Sequence, residues 1–256
     1  MNKQELKYFL DEKAAFYDHP DFIASDPIQI PRQFDQKEDI EIAGFLTATI
    51  SWGNRKSIIN NAKRMMELMA NSPHDFILNH KERHLAKLET FVHRTFNGTD
   101  LITFVAALQQ IYRKHGGLEA AMTTYANDNF MDRNLHAFKL KFFEVPHLRR
   151  TQKHVSDPLK NSAAKRLHMY LRWMVRPNTT GVDFGLWKTL KPQQLSCPLD
   201  VHSGNVARKL GLLSRKQNDA KALRLLDESL RKMAPEDPVK YDFALFGIGA
   251  FEKASI

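Results

Sequence analysis

Two residues in the C-terminal half of the chain, Lys165 and Asp200, have side chains that could act together in covalent chemistry. A lysine amine attacks an electrophilic carbon only when it is neutral, and its ordinary pKa of about 10.4 keeps it mostly protonated at neutral pH. A carboxylate held beside it can accept that proton or stabilise positive charge that develops on a substrate. These residue types indicate nucleophilic catalysis by an amine if the fold brings the two side chains together.

Asp200 also stands where a helix is predicted to begin. It follows Pro198-Leu199 and precedes a segment whose apolar residues have helical spacing, which is typical of a capping carboxylate. Capping fixes the carboxylate in one position, so the structural role and the chemical role are compatible. His202 lies in the first turn of the same helix and, as a lone histidine, is assigned no chemistry.

The segment around Lys165 is predicted to form an amphipathic helix over residues 162–176. At about 100° per residue, one face carries Lys165, His168, Arg172 and Arg176, and the opposite face carries Leu167, Tyr170, Leu171 and Met174. The basic face has two interpretations. It is either a cationic stripe in contact with solvent or a surface that faces phosphates, with Lys165 beside a reactive centre.

Positive charge is concentrated in one part of the chain. The 256 residues carry a net charge of +9, and residues 149–191 contain ten basic and two acidic side chains, whereas residues 1–40 are acidic on balance. A local excess of Lys and Arg is expected where phosphates are neutralised. We predict phosphate contacts for Arg172 and Arg176 and for the pair Arg149-Arg150.

The three tryptophans differ in their predicted surroundings. Trp173 borders the apolar stripe of its helix and is expected in the core. Trp52 and Trp187 lie in turns or loops beside polar residues, where an aromatic face could stack on a base. We predict a base pocket that includes Trp52 and Trp187.

Composition excludes several classes of site. Cys197 is the only cysteine, so intrachain disulfides, four-cysteine zinc sites and cysteine-ligated iron–sulfur clusters are excluded. The 11 histidines show no metal-ligand spacing, and no glycine-rich phosphate loop is present, so neither a metal nor a cofactor is predicted. No apolar run reaches the length of a membrane span and the first residues lack a signal-peptide core, so we expect a cytoplasmic protein.

Apolar residues recur mostly at helical spacing, which predicts an all-α fold. Runs such as Pro27–Ile30 are too short to indicate a sheet. The predicted helices cover approximately residues 40–50, 55–70, 84–95, 100–114, 117–127, 132–143, 162–176, 200–213, 217–232 and 238–250.

The segment Pro198-Leu199-Asp200-Val201-His202-Ser203-Gly204-Asn205-Val206-Ala207-Arg208 is similar to the Val-Asp-Thr-His-x-x-Arg-Val-x-x-Arg signature of the helix-hairpin-helix DNA glycosylase superfamily. Asp200 matches the catalytic aspartate of that signature. Asn161-Ser162-Ala163-Ala164-Lys165-Arg166-Leu167 resembles the end of the hairpin, and Lys165 falls where bifunctional members carry their nucleophile. The chain resembles a bacterial branch of this superfamily nearest the archaeal 8-oxoguanine glycosylase type. The chain departs from the superfamily in the hairpin, where Asn161 can adopt a left-handed conformation but Ala163 does so poorly.

The resemblance implies a glycosylase-like fold of two helical lobes with a cleft between them. The chain would form a single unit, 1–256, with lobes of about 40–150 and of 1–39 with 151–256. The implied partner is damaged duplex DNA, with Lys160 and Asn161 of the hairpin among the phosphate contacts. The protein would act as a monomer and associate with the nucleoid.

The implied activity is excision of a flipped, oxidised purine base, because the glycosidic bond is inaccessible inside the base stack. Asp200 would deprotonate Lys165, and Lys165 would attack C1′, release the base and form a Schiff base, with strand cleavage as a further step. Two alternatives remain open from the sequence. One is a non-catalytic nucleic-acid-binding protein on the same scaffold, and the other is a helical interaction protein whose binding is indifferent to salt.

Overall fold

A computed structural model describes residues 1–252 of the chain. The described chain is mostly helical, which confirms the all-α prediction. Its helices, in order, are α1 (Lys3–Tyr17), α2 (Lys37–Thr49), α3 (Arg55–Leu68), α4 (Pro73–Asn79), α5 (Glu82–Leu85), α6 (Gly98–Lys114), α7 (Gly117–Met122), α8 (Asp132–Phe142), α9 (Lys165–Val175), α10 (Val201–Lys209), α11 (Ala220–Met233) and α12 (Tyr241–Phe251).

The chain divides into two compact units. The terminal unit contains Met1–Phe22, Asn127–Arg133 and the chain from Asp157 onward, and the central unit contains Ile23–Ala126 and Asn134–Ser156.

The core of the central unit forms around α2, which is buried on every side from Ile40 to Thr49. Its Phe45 ring contacts the rings of Phe104 on α6 and of Phe138 and Phe142 on α8. Helix α6 begins with a capping box, in which the side chains of Asn97 and Asp100 each accept a hydrogen bond from the other's backbone N–H. The burial of α2 agrees with the buried helix predicted for residues 40–50.

The core of the terminal unit is formed by helices that are distant in sequence. Helix α12 packs against both α1 and α10, and its buried face includes Ala244, Leu245 and Ile248. Helix α1 contributes Leu10 and Ala14 to the same cluster. Helix α1 is not among the predicted helices, because only Leu10 and Ala14 of its residues are buried and its apolar stripe is weak.

Two segments differ from the predicted elements. The helix expected at 84–95 is only the short α5, followed by a 3-10 turn at Ala86–Thr90 and an antiparallel hairpin of β1 (Val92–His93) and β2 (Phe96–Asn97). Helix α4 forms where no helix is predicted. The run after Asp26, which is predicted to be too short for a sheet, is a 3-10 turn, Pro27–Gln29, because the Asp26 side chain accepts the Ile28 N–H and caps it. Among residues 1–252, β1 and β2 are the only strands that form a sheet.

No helix within the described part of the chain is both long and apolar enough to cross a membrane.

Candidate active site

Lys165 and Asp200 form an ion pair in the terminal unit. Lys165 Nζ lies 3.7 Å from Asp200 Oδ2, and the two side chains are 26% and 24% exposed. Lys165 is the first residue of α9 and Asp200 caps the N-terminus of α10. The structure therefore brings together the two residues chosen for amine chemistry and leaves both accessible to a ligand from solvent.

The cap of α10 fixes the orientation of the Asp200 carboxylate. Asp200 Oδ1 accepts hydrogen bonds from the backbone N–H of Ser203 at 3.0 Å and from its hydroxyl at 3.3 Å. The Asp200 N–H donates back to Ser203 Oγ at 2.9 Å, and the Asn218 amide donates to the Asp200 carbonyl at 2.8 Å. The capping prediction is confirmed. Because Oδ1 is used by the cap, Oδ2 is the oxygen presented to Lys165.

Left-handed backbone conformations determine where α9 begins. Asn161 has φ 65° and Ala164, directly before Lys165, has φ 42°, while Ala163 does not adopt a positive φ. The Asp157 side chain accepts the Leu159 N–H at 3.1 Å, and Ser162 Oγ accepts the Ala164 N–H at 3.1 Å. The chain reverses over these residues, so the helix begins at Lys165 and not at residue 162, where its start is predicted.

This hairpin, Asp157–Ala164, packs against the segment that leads into α11. Ser162 and Asp219 form an isolated antiparallel bridge, and the Ala220 N–H donates to the Asn161 carbonyl at 3.3 Å. The Asn161 amide also donates to Asp219 at 3.4 Å. Lys160 is exposed at the tip of the hairpin. Lys160 and Asn161 are thus accessible to a phosphate, and their role in binding one stays a prediction.

The phosphate contacts predicted for Arg172 and Arg176 are wrong. Arg172 is 3% exposed and Arg176 is 7% exposed, and both guanidinium groups are paired with carboxylates. Arg172 pairs with Asp183 and Asp242, and Arg176 pairs with Asp183 and also with carboxylates at positions 18 and 237. Three of these carboxylates come from distant parts of the sequence, whereas Asp183 lies in the loop after α9, and together they neutralise the charges of the two arginines inside the fold.

His168 shows that the basic face of α9 is an interior face. Its side chain is fully buried, and burial, with a contribution from the charge of Arg224, lowers the pKa of its imidazole to about 3. The imidazole is therefore neutral at physiological pH. Of the residues assigned to the basic face, only Lys165 has a partly exposed side chain.

The predicted base pocket of Trp52 and Trp187 is not confirmed for Trp187. The Trp187 side chain is 1% exposed and its ring packs edge-on against Tyr170. The backbone N–H of Trp187 donates to the Met174 carbonyl at 2.9 Å. It is a core residue with no face open to a base. Trp52 is half-buried in the central unit, where its ring meets that of His93 at a centroid distance of 5.0 Å. A role for Trp52 in base stacking stays a prediction.

Both arginines of the pair in the central unit are exposed, but Arg150 is also bonded within that unit. The guanidinium of Arg150 donates to Asp100 at 2.8 Å, to Asn97 at 3.2 Å and to the Thr95 carbonyl at 2.7 Å, so it holds the start of α6. Arg149 is available to a phosphate, whereas a phosphate at Arg150 would have to compete with these bonds.

Sequence reasoning missed the carboxylates that surround Arg172. Asp183 lies in a loop after α9, and Asp242 lies in the first turn of α12. Burial raises the pKa of Asp183, and burial raises the pKa of Asp242 to about 6 although the charges of Arg172 and Lys165 lower it. The one signal for Asp242 in the sequence was that it is an acidic residue near the start of a predicted helix.

A metal site is not formed by the residues that the structure describes, since no three of their His, Cys, Asp or Glu side chains converge on a point. Cys197, the single cysteine, is buried, and burial together with the charge of Asp242 raises the pKa of its thiol. Its thiol is thus kept in the unreactive protonated form. The Lys165–Asp200 pair is therefore the candidate reactive group of the terminal unit.

Searches of curated proteins and of solved structures find no match to the chain. A family model described as a protein of unknown function, DUF2400, matches residues 26–251. This range includes most of both units, without α1, and contains the hairpin and the Lys165–Asp200 pair. The chain belongs to the DUF2400 family.

Proposed function

We propose that the protein is a DNA-repair glycosylase of the helix-hairpin-helix type that acts through a lysine nucleophile. The observation that carries this proposal is the ion pair between Lys165 and Asp200, in which Nζ and Oδ2 are 3.7 Å apart. Both side chains are partly exposed, as residues that meet a substrate must be. The two-lobed glycosylase fold is part of the same proposal.

The proposed reaction uses the two residues in sequence. Asp200 takes a proton from Lys165, and the neutral amine attacks C1′ of a flipped nucleotide as the bond from C1′ to the base breaks. The departing base nitrogen takes that proton, so Asp200 is again a carboxylate. The attached amine then passes a proton to O4′ as the C1′–O4′ bond opens, which leaves an imine between C1′ and Nζ. The negative charge of Asp200 stabilises the cation that develops on the sugar. The resulting Schiff base permits strand cleavage by β-elimination. The substrate is damaged duplex DNA with an oxidised purine.

DNA contacts in this proposal are limited to exposed groups. Lys160 and Asn161 of the hairpin and Arg149 and Arg150 of the central unit remain candidates, because their side chains are exposed. Trp52 is the remaining candidate for base stacking. Buried arginines are excluded from this role, because their charges are already paired.

Borohydride trapping tests the proposal directly. Purified protein is incubated with duplexes that carry 8-oxoguanine or an abasic site, and the imine is reduced to a stable adduct. We expect an adduct with wild type and with Lys221→Ala, an exposed lysine in the same unit, and none with Lys165→Ala. Asp200→Asn keeps a side chain that caps helices well, so a loss of at least about 100-fold in adduct formation would report the charge and not the cap.

Two results would contradict the proposal. An adduct that persists in Lys165→Ala removes the assigned nucleophile. If a panel of lesions gives neither adduct nor base release while binding to DNA weakens with salt, the non-catalytic nucleic-acid-binding alternative replaces the enzyme.

A further inference from the structure

The segment between α10 and α11, residues 214–219, lies against the helix that Asp200 caps. Near the C-terminal end of α10, the Arg208 guanidinium donates to the Arg215 carbonyl at 2.8 Å. At the N-terminal end of the same helix, the Asn218 amide donates to the Asp200 carbonyl at 2.8 Å. We call residues 214–219 the return segment. Its two attachments hold it along α10 and place Asn218 beside the cap.

The Asn218 amide is oriented by its neighbours on α10. Its oxygen accepts a hydrogen bond from Arg208, which can only donate, so its nitrogen is the atom that faces the Asp200 carbonyl. Position 204 of α10 is a glycine, and a Cβ there would lie 2.8 Å from Asn218 Oδ1 and 2.9 Å from Arg208 Nη1. The amide and the guanidinium therefore approach the helix more closely than a side chain at Gly204 would allow.

The next residue of the return segment, Asp219, is attached to the hairpin. Its backbone forms the antiparallel bridge with Ser162, and its carboxylate accepts the Asn161 amide at 3.4 Å. The same carboxylate accepts the Ala222 N–H at 3.0 Å and so caps α11. Because the hairpin leads directly into Lys165, Asp219 holds the chain from which the lysine starts.

Two consecutive residues thus hold the two halves of the site. Asn218 is bonded to the backbone of Asp200, and Asp219 is bonded to the hairpin before Lys165. Their Cα atoms are about 3.8 Å apart across one planar peptide, so the two attachment points have little freedom to separate. The carboxylate of Asp200 is also fixed by the Ser203 N–H, whereas the lysine stem is flexible. The contact between amine and carboxylate then depends on how the hairpin and the cap are placed.

We propose that Asn218 and Asp219 are positioning residues of the Lys165–Asp200 site, because they tie the hairpin to the cap of α10 and so set the distance between the amine and the carboxylate. Within residues 1–252, neither side chain bonds to Lys165 Nζ or to the Asp200 carboxylate, so both act through the backbone. The catalytic consequence rests on the proposed function, whereas the geometric link does not.

Zero-length crosslinking measures this contact without DNA. A water-soluble carbodiimide activates a carboxyl group, and an amine in contact with it displaces the resulting urea, so an amide forms with the net loss of one water. Peptides joined through Lys165 and Asp200 are quantified by mass spectrometry. The reference is the crosslink between Lys13 and Glu252, a similarly exposed pair in the same unit whose N···O distance is 2.8 Å.

The variant Asn218→Leu keeps the approximate size of the side chain and removes the amide that bonds to the Asp200 carbonyl. We expect the ratio of the Lys165–Asp200 crosslink to the reference crosslink to fall by on the order of tenfold. The reason is that a displacement of about 1 Å between reacting groups can cost about 100-fold in rate.

The matched control is Thr180→Val, which also removes one hydrogen bond of a half-buried side chain in the terminal unit, from the Thr180 hydroxyl to Asp18 at 2.6 Å. We expect it to leave the crosslink ratio unchanged. Gly204→Ala is a second variant, in which the new Cβ displaces the Asn218 amide without removing it. Alanine is the better helix former, so a fall in the ratio there would report the displaced amide and not a weakened helix.

Circular dichroism identifies the variants that fold, and Gly204→Ala decides the test if Asn218→Leu does not fold. A ratio that stays at the wild-type value in the folded variants overturns the inference, and so does an equal fall in Thr180→Val. A wild type that gives only the reference crosslink also overturns it. If the ratio falls as expected but wild type gives no DNA adduct in borohydride trapping, the inference stands and the glycosylase proposal fails.

Discussion

Replacing Arg176 by methionine tests whether this arginine belongs to the interior, as the structure shows, or to a phosphate-binding surface. Methionine keeps most of the side-chain length and removes the charge. Arg176 Nη1 donates to Asp18 at 2.6 Å and to Asp183 at 3.2 Å, and Nε donates to Asp237 at 2.8 Å. The variant Arg176→Met leaves all three carboxylates without this partner.

The expected loss follows from what each carboxylate keeps. The side chain of Asp237 is 28% exposed and can be rehydrated, whereas those of Asp18 and Asp183 are 5% and 0% exposed. Asp18 retains a hydrogen bond from the Thr180 hydroxyl, and Asp183 retains Arg172. Removing one partner of a buried pair costs about 3–5 kcal/mol, and these remaining contacts favour the lower value, about 3 kcal/mol.

The loss should depend on pH in a defined direction. Burial raises the pKa of Asp183 and the charge of Arg176 lowers it, so without Arg176 the pKa of Asp183 rises further in the folded state. The group then takes up a proton as the pH falls, and its charge penalty disappears. The difference in unfolding free energy between wild type and Arg176→Met is thus expected to be largest near pH 8 and to shrink toward pH 5.

Urea unfolding followed by circular dichroism measures this difference, with Arg149→Met as the control for an exposed arginine. The control should change the unfolding free energy by no more than about 0.5 kcal/mol. If Arg176 instead contacted a phosphate, its loss would reduce the slope of the logarithm of the DNA-binding constant against the logarithm of the salt concentration by about one. An Arg176→Met protein that is as stable as wild type near pH 8 and has a reduced salt slope would refute the reasoning.

Two further predictions concern stability. Burial raises the pKa of Asp227 to about 7, so between about pH 4 and 7 the folded state keeps a proton that the unfolded state loses. The free energy of unfolding should therefore fall by up to about 1.4 kcal/mol for each unit by which the pH rises in this range. Asp227→Asn, which can still accept the Cys197 N–H, should flatten this slope in pH-dependent urea melts, and an unchanged slope would assign it to other groups. A Cβ at Gly98 would lie 2.3 Å from the Glu89 carbonyl oxygen, so Gly98→Ala should lower the free energy of unfolding by about 3 kcal/mol. A lower thermal unfolding temperature would report this loss. Gly211→Ala, where φ is +72° and no atom lies within 4 Å, should cost only about 1 kcal/mol, and equal losses would contradict this reasoning.

The sequence predicted those features that depend on neighbouring residues. Helical spacing identified most of the helices, and the position of Asp200 before an apolar-periodic segment identified its cap. Both signals are local, because a helix and its first turn are determined by residues within a few positions of each other. Where the local pattern is weak, the prediction was wrong. Helix α1 was missed, and a helix was predicted at 84–95, where the chain forms a turn and a hairpin.

Most of the charge pairing around α9 could not be predicted from the sequence, because the partner carboxylates of Lys165, Arg172 and Arg176, apart from Asp183, are far from them along the chain. The sequence placed Lys165 and Arg172 on one basic face, and the fold gives each a carboxylate from a different helix. For Lys165 the partner is the predicted Asp200 and the pair remains partly exposed. For Arg172 the partners are Asp183 and Asp242 and the group is buried.

The sequence by itself thus determined the helical class of the protein and the choice of a lysine and an aspartate with matched chemistry. Only the tertiary structure decided which basic residues keep a free charge. The physical reason is that burial and partner distance set the energy of a charge, and both depend on segments such as α1 and α12 that meet through folding. Lys165 retains access to solvent because it begins α9 at the hairpin, whereas Arg172 lies further along the same helix and Arg176 directly follows it, and both are buried inside the terminal unit.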